Sequence, residues 1–313
     1  MILIVAPEAD VHARRVAQEI EMLGAHAAIV DWSAAGAGTV ASIGFCSGGL
    51  RRMIRVGGTA PALDLAGVGA VWTRRIGPAT VSPSILDTEQ RRFAAAEWRD
   101  LLYGLFDCTS AVSPLAAQRG ATKPEQLARA PLAGLAIPDT LITSDPSEAA
   151  DFIDAHRGMV VHKAMNGPSD RLLETCRWDE RHRAELERLR LGPTIFQELI
   201  EGPRDLRVTV IGTTCFAAAV ESGSSRHVDS RLALDVTVAA YDLPASVRAS
   251  LVRLMTTLGL KFATVDIKES SDGTFYFLEL NPQGQFLYVE ILTGLPIAAA
   301  MARYLTELDA QSQ

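Results

Sequence analysis

The stretch ATVDIKESSDGTFYFLELNPQGQF, residues 263–286, decides the reading of this chain. Its first half is a strand reaching Asp266, and Ser270-Ser271-Asp272-Gly273 supplies a turn. The second strand runs from Phe275 to Leu280. Glu279 and Asn281 stand two residues apart, so both side chains leave one face of that strand. A hairpin partner brings Asp266 to them. Glu279 interrupts an otherwise apolar Leu-Glu-Leu strand, where a carboxylate needs a partner or a metal. The three residues offer only hard oxygen donors. Such a set suits Mg²⁺ when the other positions go to water and nucleotide phosphates. An exposed hairpin with ordinary acids is the alternative, and it accounts for Asp266 better than for Glu279.

The rest of the composition bounds the answer. With 313 residues the chain is too long for one simple core, and two or three lobes are expected. A net charge of −7 argues against a non-specific nucleic-acid binder or an anionic-membrane binder. Cys46, Cys108, Cys176 and Cys215 are isolated, which suggests reduced thiols in a cytoplasmic protein and no zinc site. No apolar run reaches the roughly 20 residues that span a bilayer.

Towards the N-terminus, the apolar run ILIVA at residues 2–6 marks a buried parallel strand. A helix over His12–Leu23 and a strand over Ala27–Asp31 complete a β-α-β start. The turn Pro7-Glu8-Ala9-Asp10 holds no Gly-x-Gly-x-x-Gly, so a dinucleotide fingerprint is absent there. Residues 33–67 give no clear reading. A strand over Ala70–Arg74 and a helix over Asp87–Leu105 follow, with Asp87 or Thr88 as cap. A lobe boundary is expected within Ser110–Pro124. Beyond it the pattern gives helices at Pro124–Ala130 and Ser147–His156, strands ending at Ile142 and Lys163, and a charged helix at 177–190. The last lobe is read from Thr194, with strands at 194–200, 206–211, 214–220 and 234–239, a helix at 245–258 and an amphipathic helix at 296–309.

Three further groups carry possible chemistry. Lys163 ends the apolar strand VVHK, and Lys123 follows a Gly-Ala-Thr loop before a helix; mobile point charges of this kind suit phosphates. In FQELIEGPRDLRVTVIG, residues 196–212, Asp205 and Arg207 share a strand face. They read either as a structural salt bridge or as a planar donor set for a phosphate or oxyanion. ESGSSRHVDSR, residues 221–231, is either a surface loop or a loop facing the substrate.

Taken in order, Lys123, Lys163, Gln197-Glu198-Leu199-Ile200, Asp205-Leu206-Arg207, Asp266 and Glu279-Leu280-Asn281-Pro282 resemble the ATP-grasp ligase superfamily. The chain most resembles its graspetide, or microviridin-type, peptide maturases. The cues are Val71-Trp72-Thr73-Arg74-Arg75, Lys123-Pro124-Glu125-Gln126-Leu127, Asp229-Ser230-Arg231 and Asn281-Pro282-Gln283-Gly284-Gln285-Phe286. The resemblance implies an α/β ATP-grasp fold of three lobes. These are an N-terminal Rossmann-like pre-ATP-grasp domain over 1–113, a central subdomain over 114–193 and a C-terminal subdomain over 194–313.

It also implies ATP between the last two lobes, with Lys123 and Lys163 on phosphates. Glu198 and Leu199 would be an adenine-reading hinge, and Asp205 would lie near the ribose. Asp266, Glu279 and Asn281 would hold two Mg²⁺ ions, and Arg207 and Arg231 would face the γ-phosphate and acyl group. The implied activity joins Asp or Glu side chains of a ribosomal precursor peptide, leader plus core, to Thr, Ser or Lys of the same peptide as esters or amides. A cytoplasmic homodimer is expected. The alternatives are a RimK-like ligase adding glutamate to a C-terminus, and a nucleotide- or peptide-binding module without turnover. One departure concerns the phosphate lid, where the chain offers only Asn166-Gly167-Pro168-Ser169-Asp170, with Arg171 beside it.

Overall fold

The computed structural model describes residues 1–33, 38–55, 62–77, 79–106, 110–166, 175–222 and 236–312. The chain opens with β1 (Ile2–Val5), α1 (Val11–Met22) and β2 (Ala27–Val30), the expected β-α-β unit. Every residue of β1 is buried, as a central parallel strand requires. Asp10 caps α1, its Oδ1 accepting from the Ala13 amide at 2.9 Å. Residues 33–67, unread in the sequence, carry β3 (Val40–Cys46), β4 (Gly49–Arg55) and β5 (Leu63–Asp64), an antiparallel sheet of its own. Then come β6 (Ala70–Thr73), α2 (Thr88–Phe106), which Asp87 caps through the Gln90 amide at 2.8 Å, and β7 (Ala111–Val112). The first sheet is parallel, in the order β2-β1-β6-β7.

The middle of the chain holds α3 (Leu115–Gly120), α4 (Lys123–Arg129), β8 (Thr140–Thr143), α5 (Pro146–Ala155), β9 (Val160–Lys163), β10 (Cys176–Arg177) and β11 (Thr194–Glu198). Two expectations change here. The strand read as opening the last lobe, β11, instead lies between β9 and β8 in the central sheet, ordered β10-β9-β11-β8. The charged helix expected at 177–190 is a run of tighter 3₁₀ turns over Glu180–Leu191. Its ion pairs Glu180–Arg183, Glu185–Arg188 and Glu187–Arg190 are all three residues apart, and so are its buried Leu186 and Leu189. Spacing by three is the repeat of that tighter helix.

The last part comprises β12 (Arg204–Ile211), β13 (Thr214–Ser222), β14 (Val236–Tyr241), α6 (Ala245–Thr257), β15 (Phe262–Glu269), β16 (Phe275–Asn281), α7 (Leu287–Thr293) and α8 (Ile297–Gln311). Its antiparallel sheet runs β14-β13-β12-β15-β16. The expected hairpin is present, and its turn needs Gly273 at φ +83°. Helix α8 returns to the first sheet. Its Met301 and Leu305 share one core with Ile2, Ile4 and Trp72, and also with Phe262 and Phe286. The Gly69 amide donates to Asp309 Oδ1 at 3.1 Å. The N-terminal sheet and the last sheet are therefore packed through a common apolar layer. No helix among the described residues is long and apolar enough to cross a membrane.

Candidate active site

Three adjacent strands assemble the site by register alone. Arg207 on β12 stands opposite Asp266 on β15, which stands opposite Glu279 on β16. Two residues along, Thr209 faces Thr264 and Thr264 faces Asn281. Side chains alternate along strands, so these six residues share one sheet face. The β15–β16 register shifts immediately after Asp266, a bulge of the kind that re-aims a side chain beside a site.

Placing Asp266 directly across from Glu279 sets two carboxylates against each other, which is unfavourable without cations. Arg207 Nη1 forms an ion pair with Asp266 Oδ1 from one side. Lys123 Nζ lies 3.0 Å from Glu279 Oε2 on the other. Burial works against the Arg207 charge, but Asp266, Tyr288 and Glu279 outweigh it and raise its proton affinity above the ordinary arginine value. Its Nε is buried without a hydrogen-bond partner among the described residues.

The two lysines come from the central part of the chain. Lys123 begins α4, and its Nζ also donates to the Ala164 carbonyl at 3.3 Å. Lys163 closes β9. Burial lowers its pKa, Lys123 adds to the lowering, and Glu279 and Asp266 oppose it. The amine is thus desolvated and within reach of the charges of both carboxylates.

Sequence reading assigned no role to four residues that hold this face in place. Gln126 on α4 donates to the Leu280 carbonyl at 2.9 Å and accepts from the Leu280 amide at 2.8 Å. It thereby completes the outer edge of β16 between Glu279 and Asn281. Gly284 follows closely behind: a Cβ there would overlap the Thr264 side chain, so only glycine lets the 281–286 loop lie on β15. Arg74, fully buried, donates to the Gln283 carbonyl at 2.6 Å. Gln118 accepts from Gln283 Nε2 at 3.0 Å. For Arg74, Gln126 and Gly284 the signal was the motifs Trp-Thr-Arg-Arg, Lys-Pro-Glu-Gln-Leu and Asn-Pro-Gln-Gly-Gln, which mark position but not partner, whereas Gln118 lies in none of them.

The remaining expected residues fall as follows. The Glu198 amide donates to the Asp139 carbonyl at 2.8 Å and the Leu199 amide to the Met159 carbonyl at 2.9 Å, so an adenine contact at these two residues is left to a carbonyl. Asp205 shares the Arg207 face, with its Oδ1 3.2 Å from Lys268 Nζ. Arg231, the Asp229-Ser230-Arg231 motif and most of the 221–231 loop, and Gly167–Arg171 of the lid lie outside the described residues.

The structure is similar to that of the macrocyclase MdnC of Microcystis aeruginosa MRC, solved with the precursor peptide MdnA. The TM-score is 0.87 at 28% identity, over 98% of this chain and 99% of that one. It is equally similar, with TM-score 0.87 and 26% identity over 98% and 96% of the two chains, to a RiPP-associated ATP-grasp ligase of Chryseobacterium gregarium, solved with ADP and a leader and core peptide. Among curated sequences, a probable α-L-glutamate ligase of Serratia proteamaculans is 33% identical over 103 residues, 33% of this chain and 34% of that protein. The match thus spans about a third of that relative's length. The family model for the RimK-like ATP-grasp domain matches residues 121–305, more than half of the chain. With α4, the central sheet and the whole acidic face inside that span, the chain belongs to the RimK-like ATP-grasp family.

Proposed function

We propose that this protein is an ATP-dependent carboxylate ligase that cross-links side chains of a ribosomal precursor peptide. The observation that carries the reading is the face Arg207–Asp266–Glu279–Asn281, with Lys123 and Lys163 above it. The donor chemistry fits the expected metal. Three oxygen-bearing side chains converge, no nitrogen or sulfur ligand stands among them, and cations already flank them. Mg²⁺ held by Asp266, Glu279 and Asn281 would neutralise charge on the ATP phosphates.

The chain's own residues do the rest. Lys123 and Lys163 bind the phosphates. A peptide carboxylate oxygen attacks the γ-phosphorus, the bond to the bridging oxygen breaks, and ADP leaves. Arg207, held by Asp266, supplies the positive charge that faces the acyl phosphate and then the tetrahedral oxyanion. A hydroxyl or amine of the same peptide attacks the acyl carbon and loses its proton, and phosphate departs. The balance is ATP and peptide to ADP, phosphate and a cyclic ester or amide, the peptide losing one water for each ring. Arg231 is assigned the same acyl-facing role on sequence grounds.

ATP is placed between the central sheet and the last sheet, with the Glu198–Leu199 hinge beside the adenine and Asp205 towards the ribose. Because β11 pairs with β9 and β8, we set the boundary between these lobes after Glu198 rather than at 193. Full-length similarity to peptide-bound macrocyclases supports the peptide substrate. The match to a probable α-L-glutamate ligase covers only about a third of each chain, so it does not favour the second reading, glutamate addition to a C-terminus. Intact-mass measurement separates the two. A short acidic peptide containing Thr or Lys, encoded beside the gene, is incubated with the protein, ATP and Mg²⁺. Loss of whole waters is the expected result, and gain of glutamate residues would replace this reading with the second. Light scattering tests the expected homodimer.

A further inference from the structure

Asn281 is held by a chain of contacts that ends in the first sheet. Its Oδ1 accepts from the Gln283 amide at 2.8 Å. The Gln283 carbonyl accepts from Arg74 Nη1 at 2.6 Å, and its side-chain Nε2 donates to Gln118 Oε1 at 3.0 Å. Gln118 in turn donates to Thr73 Oγ1 at 2.6 Å and to the Ser113 carbonyl at 2.8 Å. Thr73 and Arg74 lie at the carboxyl end of β6, and Ser113 directly follows β7. From beneath, Gly284 rests on Thr264. The loop 281–286 is therefore clamped from two directions, and Gln283 is engaged at its amide, its carbonyl and its side chain.

A merely structural role explains Arg74 poorly. The residue is fully buried, its Nε and Nη2 have no hydrogen-bond partner among the described residues, and the carboxylate of Asp10 stands 3.6 Å from Nε. A buried arginine so incompletely paired is commonly no more stabilising than an apolar side chain of similar volume. What it does supply is a directional bond to the residue that orients Asn281.

We propose that Arg74 and Gln283 are positioning residues for metal binding, through which the N-terminal sheet fixes the Asn281 carboxamide in the orientation a cation requires. The inference rests on the assignment of Asn281 as a metal ligand. Partners behind a ligand commonly change metal affinity by about 10- to 100-fold when removed. The double role also leaves Asn281 one lone pair of Oδ1 for the cation while the other takes the Gln283 amide.

The test is Mn²⁺ titration of the full chain with ADP present, followed by electron paramagnetic resonance. Four proteins are compared: the parent, Arg74→Met, Gln283→Ala and Asn281→Ala. Arg74→Met and Gln283→Ala are expected to weaken Mn²⁺ binding about tenfold. They are expected to add nothing when combined with Asn281→Ala, because the clamp acts only through that side chain. In turnover, both raise the Mg²⁺ concentration needed for half-activity and regain kcat at saturating Mg²⁺. Unchanged Mn²⁺ affinity in both variants overturns the proposal, and so does weakening that persists in full in the Asn281→Ala background. If Asn281→Ala itself binds Mn²⁺ as the parent does, the metal assignment fails and the positioning role with it. Should Arg74→Met not fold, Gln283→Ala carries the test, since that side chain is only half-buried.

Discussion

Arg207 and Asp266 face each other across β12 and β15, and the ion pair between them leaves the buried Arg207 Nε without a hydrogen-bond partner among the described residues. The same carboxylate thus serves a guanidinium on one side and faces Glu279 on the other. Replacing Arg207 by methionine removes the donor set and also unmasks the charge of Asp266. Turnover is expected to fall by about 100-fold or more, the usual cost of an oxyanion donor. Mn²⁺ binding in the presence of ADP is expected to be no weaker than in the parent, because the acidic face becomes more negative. The thermal shift produced by adding Mg²⁺ should be larger in the variant, since the cation then relieves two opposed carboxylates. A coupled ADP-release assay and differential scanning fluorimetry read these outcomes.

Gln126 makes a second case, in which stability and site are joined. Strand β16 is the edge of its sheet, and the Leu280 amide and carbonyl find their partners in the Gln126 side chain. Gln126→Leu fills similar volume but strands both groups. A buried orphan costs about 1–3 kcal/mol, so a loss of about 2–6 kcal/mol is expected in urea denaturation. Gln126→Glu keeps the acceptor for the Leu280 amide but turns a buried oxygen towards the Ala121 and Leu280 carbonyls, so it should lose at least as much.

How far this was readable in the sequence differs from element to element. The acidic face was legible because a strand's period of two fixes which residues share a side, and Glu279 and Asn281 obey it without help from elsewhere. The β-α-β start was legible because a continuous apolar run and a capped amphipathic helix are local signals. What failed was non-local. β11 has the pattern of any half-buried strand, and only its partners β8 and β9 assign it to the central sheet. The Glu180–Leu191 segment is charged at a spacing that fits either helix type, and the three-residue pairs became visible only in space. Gln126, Gln118 and Gln283 bond to groups 154, 165 and 209 residues away in some of their contacts, and no local pattern encodes such a partner.

His12 gives a pH dependence with a defined sign. It is buried beneath the 281–286 loop, and the Phe286 amide donates to its Nε2 at 3.3 Å, which requires the neutral ring. Burial, then the charge of Arg74, and less so that of Arg75, push its pKa from 6.5 to about 4 against the pull of Asp10. Below pH 6.5 the unfolded chain takes up a proton that the folded chain refuses until about pH 4, so stability falls as pH falls through that window. The loss between pH 7 and pH 4.5 is expected to be about 2–3 kcal/mol from this residue. His12→Gln keeps an acceptor for Phe286 and should flatten the profile by that amount in denaturation curves taken at the two pH values. An unaltered profile would remove His12 as its source.

Gly284 sets the height of the loop that carries Asn281. Gly284→Ala drives a methyl group into the Thr264 side chain, and overpacking of this kind costs about 1–3 kcal/mol. Thr264→Ala removes two of the three overlapping atoms. The double variant is therefore expected to recover part of the lost melting temperature. Recovery of Mn²⁺ affinity in parallel would tie the loop height to the metal site.

Lys163 separates what favours the fold from what favours the proposed chemistry. Its amine is desolvated, and Lys123 repels it, while Glu279 and Asp266 only partly compensate; the net effect lowers its pKa. A lowered lysine pKa means that the charged form is disfavoured in the folded state relative to the unfolded one. Lys163→Met, which removes the charge and keeps the stem, should therefore leave the melting temperature unchanged or raise it. The same change removes one of two cations proposed to hold the ATP phosphates. KM for ATP is expected to rise at least about tenfold, the equivalent of roughly 1.4 kcal/mol of binding. Adding Mg·ADP to the parent supplies the missing anion, so the nucleotide should stabilise the parent more than the variant in the same scan. A variant that melts lower than the parent without nucleotide would make Lys163 a structural residue, and one that turns over ATP with the parent KM would take it out of the phosphate site.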